Sequence, residues 1–252
     1  MPTELLILIF VAIVFFIGAT LQRVSGMGVG LVGGPALSLI LGPVAGILVL
    51  NVLACFNAAL QTWTVRRNVE WDQVLRIGAA MLIGAIPGAL IVAHAPLAIL
   101  EILVGGLVLF GLGLATFFKK LVATRSLAGS VTAGAAGGFM NTMAGIAGPA
   151  ITIYAQATRW THQTFSATLQ PLFVISGLTS ILVKQFTLAE SPLLEQPWYL
   201  WVVGFGALMT GLFFGNKIAP KVPTKTAHRL ALTLAAGGAL VTLLRGISRL
   251  AV

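Results

Sequence analysis

Charged residues are scarce in this sequence. Of its 252 residues only 8% are Asp, Glu, Lys or Arg, whereas 58% are hydrophobic. A soluble domain usually carries about 25% charged residues, so we expect this chain to have the lipid bilayer as its solvent. Its apolar stretches run uninterrupted for about 20 residues, which is the length of a spanning helix and unlike the alternating strands of a membrane β-barrel.

Cysteine and catalytic motifs are also nearly absent. Cys55 is the single cysteine, which excludes an intrachain disulfide and a thiolate metal site. The sequence has no HExxH, CxxC or P-loop motif, and its six acidic residues form no pair on one face of a membrane helix. The three histidines fall at predicted loops or helix ends: His94, His162 and His228. We therefore predict no enzyme, no metal site and no cofactor.

Positive charge is present in excess, with 15 Lys and Arg against 6 Asp and Glu. A basic chain can bind nucleic acid, but these charges lie in short loops between apolar runs, where they orient a membrane protein. We therefore predict a lipid bilayer and no nucleic acid as partner. Three basic loops are predicted to be cytoplasmic: the first has Arg66, Arg67 and Arg76, the second Lys119, Lys120 and Arg125, and the third Lys217, Lys221 and Lys225. The turn 94–96 and the segment 187–197, with Glu190 and Glu195, lack Lys and Arg and are predicted outside.

The apolar runs indicate the membrane topology. They cover residues 5–22, 26–41, 44–63, 73–93, 97–118, 127–157, 164–186, 198–216 and 226–244. Run 127–157 begins in the cytoplasm, and the next run must begin there too, so 127–157 crosses an even number of times. As one helix its 31 residues would be about 46 Å long, too long for a hydrocarbon core of about 30 Å. We therefore predict a hairpin that breaks within 137–149.

The first half of the chain repeats this pattern. Residues 5–41 are predicted to form another hairpin, with its break between Arg23 and Pro35, and three spanning helices follow each hairpin. Both termini are then outside, which leaves Arg245 and Arg249 on the side that basic residues usually avoid. Because no basic region of a signal peptide precedes the first apolar run, that run is expected to belong to the mature protein.

Glycine landmarks relate the halves, which are predicted as residues 1–120 and 121–252. One landmark, Gly84-x-x-x-Gly88, recurs 127 residues later as Gly211-x-x-x-Gly215. Another, Gly34-Pro35, recurs 114 residues later as Gly148-Pro149. An odd number of crossings in each half makes the halves opposite in orientation. We predict an all-α polytopic membrane protein with two inverted repeats, each a broken hairpin helix plus three transmembrane helices. The Gly-x-x-x-Gly pairs are expected to pack helices closely, within one chain or in a homodimer.

Paired helix breaks also predict a binding site, because broken helices at matched positions mark the site of a secondary transporter. Such breaks expose backbone N–H groups and positive dipole ends, and glycine lets an oxyanion approach the backbone. A cation site would need intramembrane carboxylates, and only Glu101 comes close; we expect it at the membrane interface. The predicted anion-binding residues are Arg23, Ser25, Gly26, Met27, Gly28, Gly33, Gly34, Pro35, Asn51, Asn141, Thr142, Gly145, Gly148, Pro149 and Gln170. Arg23 could equally snorkel to the interface, and the amides could equally join helices.

The glycine-rich element from Gly26 to Pro35 resembles the signature of the sulfite exporter TauE/SafE family. The element from Asn141 to Pro149 is similar to a second copy of it, and the resemblance covers essentially the whole chain. It implies a bacterial inner-membrane permease for sulfur-containing anions such as sulfite or an organosulfonate. The second copy departs from a pure glycine run at residues 141–143, so no particular anion is carried over.

Residues and resemblance together predict a secondary transporter of a small sulfur-containing anion. The anion would bind near the midplane between two Gly-Pro breaks and be exposed to each side in turn. A passive anion channel would use the same residues without saturation or exchange. A non-transporting membrane subunit or scaffold would need a partner, and it would leave the paired breaks unexplained.

Overall fold

The computed structural model describes residues 2–117, 125–189 and 192–251. In these ranges the protein has ten α-helices, one short 3-10 helix and no strand. The helices are α1 Pro2–Ser25, α2 Val29–Leu41, α3 Pro43–Val65, α4 Trp71–His94, α5 Leu97–Phe117, α6 Leu127–Ala144, α7 Gly148–Ala157, α8 His162–Thr187, α9 Trp198–Ile218 and α10 Thr224–Leu250, with the 3-10 helix at Arg66–Asn68. The predicted boundary after residue 120, together with Lys119, Lys120 and Glu190, lies outside the described residues.

Seven of these helices are long and apolar enough to cross a membrane: α1, α3, α4, α5, α8, α9 and α10. The all-α polytopic prediction is therefore confirmed for the described residues. Local signals begin the helices where expected. Pro43 occupies the first turn of α3, where its missing N–H costs nothing. The hydroxyls of Ser126 and Thr161 cap α6 and α8 by accepting from backbone N–H groups at 3.1 and 3.2 Å.

Both predicted hairpins are present. The chain leaves α1 through Gly26, whose φ is 88°, and leaves α6 through Gly145, whose φ is 72°; glycine adopts this left-handed region without strain. A Cβ added to Gly18 on α1 would lie 3.0 Å from Cα of Val29, so α2 returns beside α1. A Cβ added to Gly137 on α6 would lie 3.6 Å from the carbonyl oxygen of Ala147, so α7 returns beside α6.

The exact positions of the breaks correct the prediction. The first break covers only residues 26–28, so Gly33, Gly34 and Pro35 lie inside α2. The second covers residues 145–147, and Pro149 follows in the first turn of α7. The breaks are therefore 119 residues apart rather than 114. The reversal is made by a glycine with positive φ, whereas Pro35 lies within α2 and Pro149 lies in the first turn of α7, where a missing N–H costs nothing.

The spacing of 114 residues does describe a packing relation. A Cβ added to Gly238 on α10 would lie 3.1 Å from Cβ of Pro35, and one added to Gly111 on α5 would lie 3.0 Å from Cβ of Pro149. The two prolines therefore pack in matching ways against α10 and α5. Counted from the break that precedes each helix, Pro35 in α2 therefore comes five residues later than Pro149 in α7.

Packing between the halves is also matched. Helix α4 packs on α6 as α9 packs on α1, while α5 packs on α10 and α3 on α8. The glycine pair Gly84 and Gly88 lies against α6, and Gly211 and Gly215 lie against α1, so both pairs pack helices within the chain. This pattern agrees with a two-fold relation between the halves, and their inverted orientation stays a prediction.

A buried carboxylate joins α5 to α10. Glu101 is covered by protein, with its side chain 1% exposed, and its place at the membrane interface stays a prediction. Its oxygens lie 3.5 Å from Nε of Arg245 and of Arg249. Arg245 also donates to the carbonyl of Leu39 at the end of α2. This pairing gives a physical reason for two arginines at the end of the bundle that was predicted to lie outside.

We expect Glu101→Gln to destabilise the protein by roughly 1–3 kcal/mol, because two arginines lose their anionic partner and a buried polar group remains. The midpoint of thermal unfolding in detergent would measure this loss. Glu4→Gln, at an exposed carboxylate in the first turn of α1, is the matched control and should leave the midpoint unchanged. Equal midpoints for both variants would show that the cluster contributes nothing to stability.

Candidate functional site

The two breaks meet in the interior of the helix bundle. A Cβ added to Gly30 would lie 2.6 Å from the carbonyl oxygen of Gly145, so the backbone of α2 touches the second break. Between the breaks lies a central cavity of about 30 Å³, which has room for about two water molecules. Its wall contains backbone from both breaks and the polar side chains of Gln22, Asn51, Asn141 and Ser176.

Two pairs of amide side chains lie at this cavity: Gln22, Asn51 and Asn141 line its wall, and Gln170 is the partner of Gln22. Gln22 donates to Gln170 at 3.0 Å, and Asn141 donates to Asn51 at 3.1 Å. Gln22 and Asn141 are 119 residues apart, and so are Asn51 and Gln170. The pairs are thus related by the same spacing that relates the two breaks. All four side chains are buried.

Further hydrogen bonds fix these amides. The oxygen of Gln22 accepts from the N–H of Val29 at 3.1 Å, and Gln170 donates to the carbonyl of Gly26 at 3.0 Å. Asn141 also donates to the carbonyl of Ser176 at 3.0 Å, and Asn51 donates to the hydroxyl of Ser180 at 2.9 Å. The amides therefore hold the first break and tie α6 and α3 to α8.

Two helices begin at the cavity wall. The first N–H groups of a helix have no acceptor within it, and in α2 those of Gly30 and Leu31 belong to residues that line the cavity. Gly148, the first residue of α7, lines it as well. Helix N-termini carry partial positive charge and bind anions. Among the described residues of the wall none is acidic, so the local field favours an anion.

A wider vestibule lies next to the central cavity. It consists of two adjoining spaces of about 440 and 470 Å³ that share Met27, Thr152, Gln156, Lys225 and His228. Two further basic residues complete its wall, His162 in one space and Arg229 in the other. A concave surface lined by positive side chains concentrates anions.

Met27 and Leu31 separate the vestibule from the cavity. Met27 lines the cavity and both parts of the vestibule, and Leu31 lines the cavity and the part that contains Arg229. Both side chains are nearly fully buried. Two apolar side chains therefore lie at the boundary between the vestibule and the cavity.

The vestibule opens at the end of the bundle where basic loops meet. His162, in its wall, begins α8, and Thr168 on the same helix accepts from the N–H of Glu70 at 3.1 Å. Glu70 in turn accepts two hydrogen bonds from Arg125, at 2.9 and 3.1 Å. Lys225, from the third loop predicted to be cytoplasmic, lines the vestibule itself. All three predicted cytoplasmic loops are thus represented at this end.

The family model of the sulfite exporter TauE/SafE matches residues 10–242, nearly the whole chain. The chain belongs to this family. No curated protein and no solved structure matches it. Membership in the TauE/SafE family indicates a multi-pass membrane transporter of sulfur-containing anions, and the resemblance seen in the two glycine-rich elements is confirmed.

The structure of this TauE/SafE protein brings ten of the predicted site residues together. Six line the central cavity: Met27, Gly28, Asn51, Asn141, Gly145 and Gly148. Ser25 and Pro149 line the vestibule. Gly26 and Gln170 bond to each other at the first break.

The other predicted site residues face elsewhere. Arg23 bonds to Asn216 on α9, and the carbon atoms of its side chain pack on Gly215. Thr142 packs against Gly88 on α4. The remaining three, Gly33, Gly34 and Pro35, provide close packing for α2 against Leu50, Ala144 and Gly238.

Several residues at the site were not foreseen. Gln22, Phe173 and Ser176 line the cavity, and Lys225 and His228 line the vestibule. A spacing of 119 residues would have matched Asn141 with Gln22 and so identified the second amide pair. No signal in the sequence marked Lys225 and His228, because they lie in the first turns of α10, which is distant along the chain from both breaks.

A cysteine at Gln156 should report access to the vestibule. We expect Gln156→Cys to react with a hydrophilic thiol reagent that is added on the cytoplasmic side of the membrane, in vesicles of known sidedness. Ser180→Cys, at a fully buried position on α8, should stay unlabelled. Background is low because Cys55, the native cysteine, is buried. Labelling of Gln156→Cys only from the opposite face would reverse the predicted orientation.

Proposed function

We propose that this TauE/SafE protein is a secondary transporter that exports a small sulfur-containing oxyanion, sulfite or an organosulfonate, by alternating access. The observation that carries the proposal is the central cavity, where two repeat-related amide pairs and two helix N-termini converge. This set supplies neutral hydrogen-bond donors and a positive field without a full charge. Such a site can bind an oxyanion and also release it.

The size of the two spaces supports a compact head group. The central cavity of about 30 Å³ suits a sulfite ion or the sulfonate group of a larger molecule after modest widening. An organic tail would lie in the vestibule, which offers over ten times that volume. In this scheme the head group sets affinity, while the vestibule decides which tails are tolerated.

The transport cycle begins with the basic vestibule. Lys225 and Arg229 attract the anion, which displaces Met27 and enters the cavity. Gln22 and Asn141 then bind it through their amides, and Asn141 gives up one of the two hydrogen bonds that its NH2 group makes to Asn51 and Ser176. Reorientation of the helices closes this end and opens the other. In a cell that is negative inside, each negative charge that leaves gains about 2.3 kcal/mol per 100 mV, so export needs no ATP.

Location and assembly follow from the same proposal. The protein would lie in the cytoplasmic (inner) membrane of a bacterium, with its vestibule in the cytoplasm and both termini outside. The basic loops at the vestibule end support this orientation. A homodimer of this protein would form through faces other than the Gly-x-x-x-Gly pairs, because those pairs pack helices within the chain.

A passive anion channel is the competing function, and counterflow in proteoliposomes separates the two. We expect saturable uptake of labelled sulfite that is accelerated by unlabelled sulfite, thiosulfate or a sulfonate inside the vesicle. Chloride and acetate are the control anions. Flux that neither saturates nor exchanges would indicate a channel. Absence of flux for every sulfur anion, from protein shown to be folded, would contradict transport of sulfur anions by the chain alone.

The amide pairs make a further prediction. Asn141→Ala and Gln22→Ala should each raise the KM for sulfite by roughly tenfold, the effect of losing one hydrogen bond to a charged ligand. Similar losses are expected because the two residues occupy repeat-related places. Thr132→Ala, on the exposed surface of α6, is the matched control. An unchanged KM in both amide variants would remove the assigned site.

A further inference from the structure

Lys184 is a lysine buried inside the helix bundle. It lies in the last turn of α8, 22 residues after His162 at the vestibule, a distance of about 33 Å along the helix. Its side chain is 0% exposed, and its ammonium nitrogen has no hydrogen-bond partner and no ion pair among the described residues. An ordinary lysine at a helix end would instead extend to water.

Such a group needs an explanation. Removal of an ammonium ion from water is costly unless a counter-ion or several acceptors replace the water. Ionisable residues inside a membrane protein therefore usually mark an ion or substrate path. The proposed substrate of this protein is itself an anion, so its passage would bring Lys184 the partner that the protein does not provide.

The position of Lys184 relative to the central cavity supports this explanation. Gln170, Ser176, Ser180 and Lys184 fall within an arc of about 120° on α8, at 100° per residue. Ser180 accepts from Asn51, which accepts from Asn141 in the cavity wall. Lys184 follows Ser180 by one helical turn, and its Cβ tilts toward the helix N-terminus, which is the direction of the cavity.

We propose that Lys184 is a second anion-binding residue, which receives the oxyanion after it leaves the amide cavity on the side away from the vestibule. This inference rests on the proposed transport function. Lysine presents a compact charge with three donors, so it suits any small oxyanion. The path then has cations at both ends, Lys225 and Arg229 in the vestibule and Lys184 beyond the cavity, with neutral amides between them.

The competing explanation is that Lys184 only fills space. A fully buried cation can often be replaced by an apolar side chain without loss of stability, so Lys184→Met separates the two explanations. If Lys184 binds the anion, Lys184→Met should raise the KM for sulfite counterflow roughly tenfold or more, with an unchanged or higher midpoint of thermal unfolding. Lys221→Met, at an exposed lysine, is the matched control and should leave both quantities unchanged.

Chemical rescue provides a second test that does not depend on one substitution. Lys184→Cys should lose sulfite counterflow to a similar extent. Treatment with 2-aminoethyl methanethiosulfonate during sulfite counterflow, when the proposed path opens at position 184, adds a cationic side chain at the introduced thiol and should restore most of the flux. The anionic 2-sulfonatoethyl reagent should not restore it. Wild-type protein receives both reagents as a control for Cys55.

The outcomes distinguish this inference from the proposed function. Wild-type protein that transports sulfite, together with a folded Lys184→Met variant of unchanged KM, would overturn the role of Lys184 and leave the transport function in place. Lack of sulfite flux in the wild type would contradict the proposed function itself. Rescue by the cationic and the anionic reagent alike would also overturn the inference, because bulk rather than charge would then restore flux.

Discussion

Every backbone polar group inside a membrane must find a partner in the protein or in a polar cavity, and the site is built around that constraint. At the first break Gln22 accepts from the N–H of Val29, Ser25 donates to the carbonyl of Met27, and Gln170 donates to the carbonyl of Gly26. At the second break the N–H of Gly145 bonds to the carbonyl of Asn141 at 2.8 Å. Gln22, one of the side chains that would recognise an anion, is therefore also one that makes the first break stable.

This double use connects binding with movement. An anion that draws the amide of Gln22 or Gln170 toward itself competes with a backbone bond of the first break. Binding at the cavity is thus coupled to the conformation of the segment that separates the cavity from the vestibule. A carrier needs such coupling, because its substrate must alter the equilibrium between its two open states.

The hairpins could be predicted from sequence because loop charge and helix length leave few topologies. The breaks within them could not be located to better than about ten residues, since Pro35 looked like the stronger signal while the backbone of Gly26 makes the turn. Side-chain direction was harder still. Arg23 and Gln22 are neighbours, yet a rotation of about 100° per residue sends the first to α9 and the second into the cavity.

The close glycine contacts have a consequence for how the chain is built. Because α9 lies on α1 and α6 lies on α4 through backbone contact, each half keeps its main partner surface in the other half. A polypeptide of either half alone would leave a glycine-lined groove open to lipid. Each half therefore completes its packing only against the other, and we expect the two halves to become stable together.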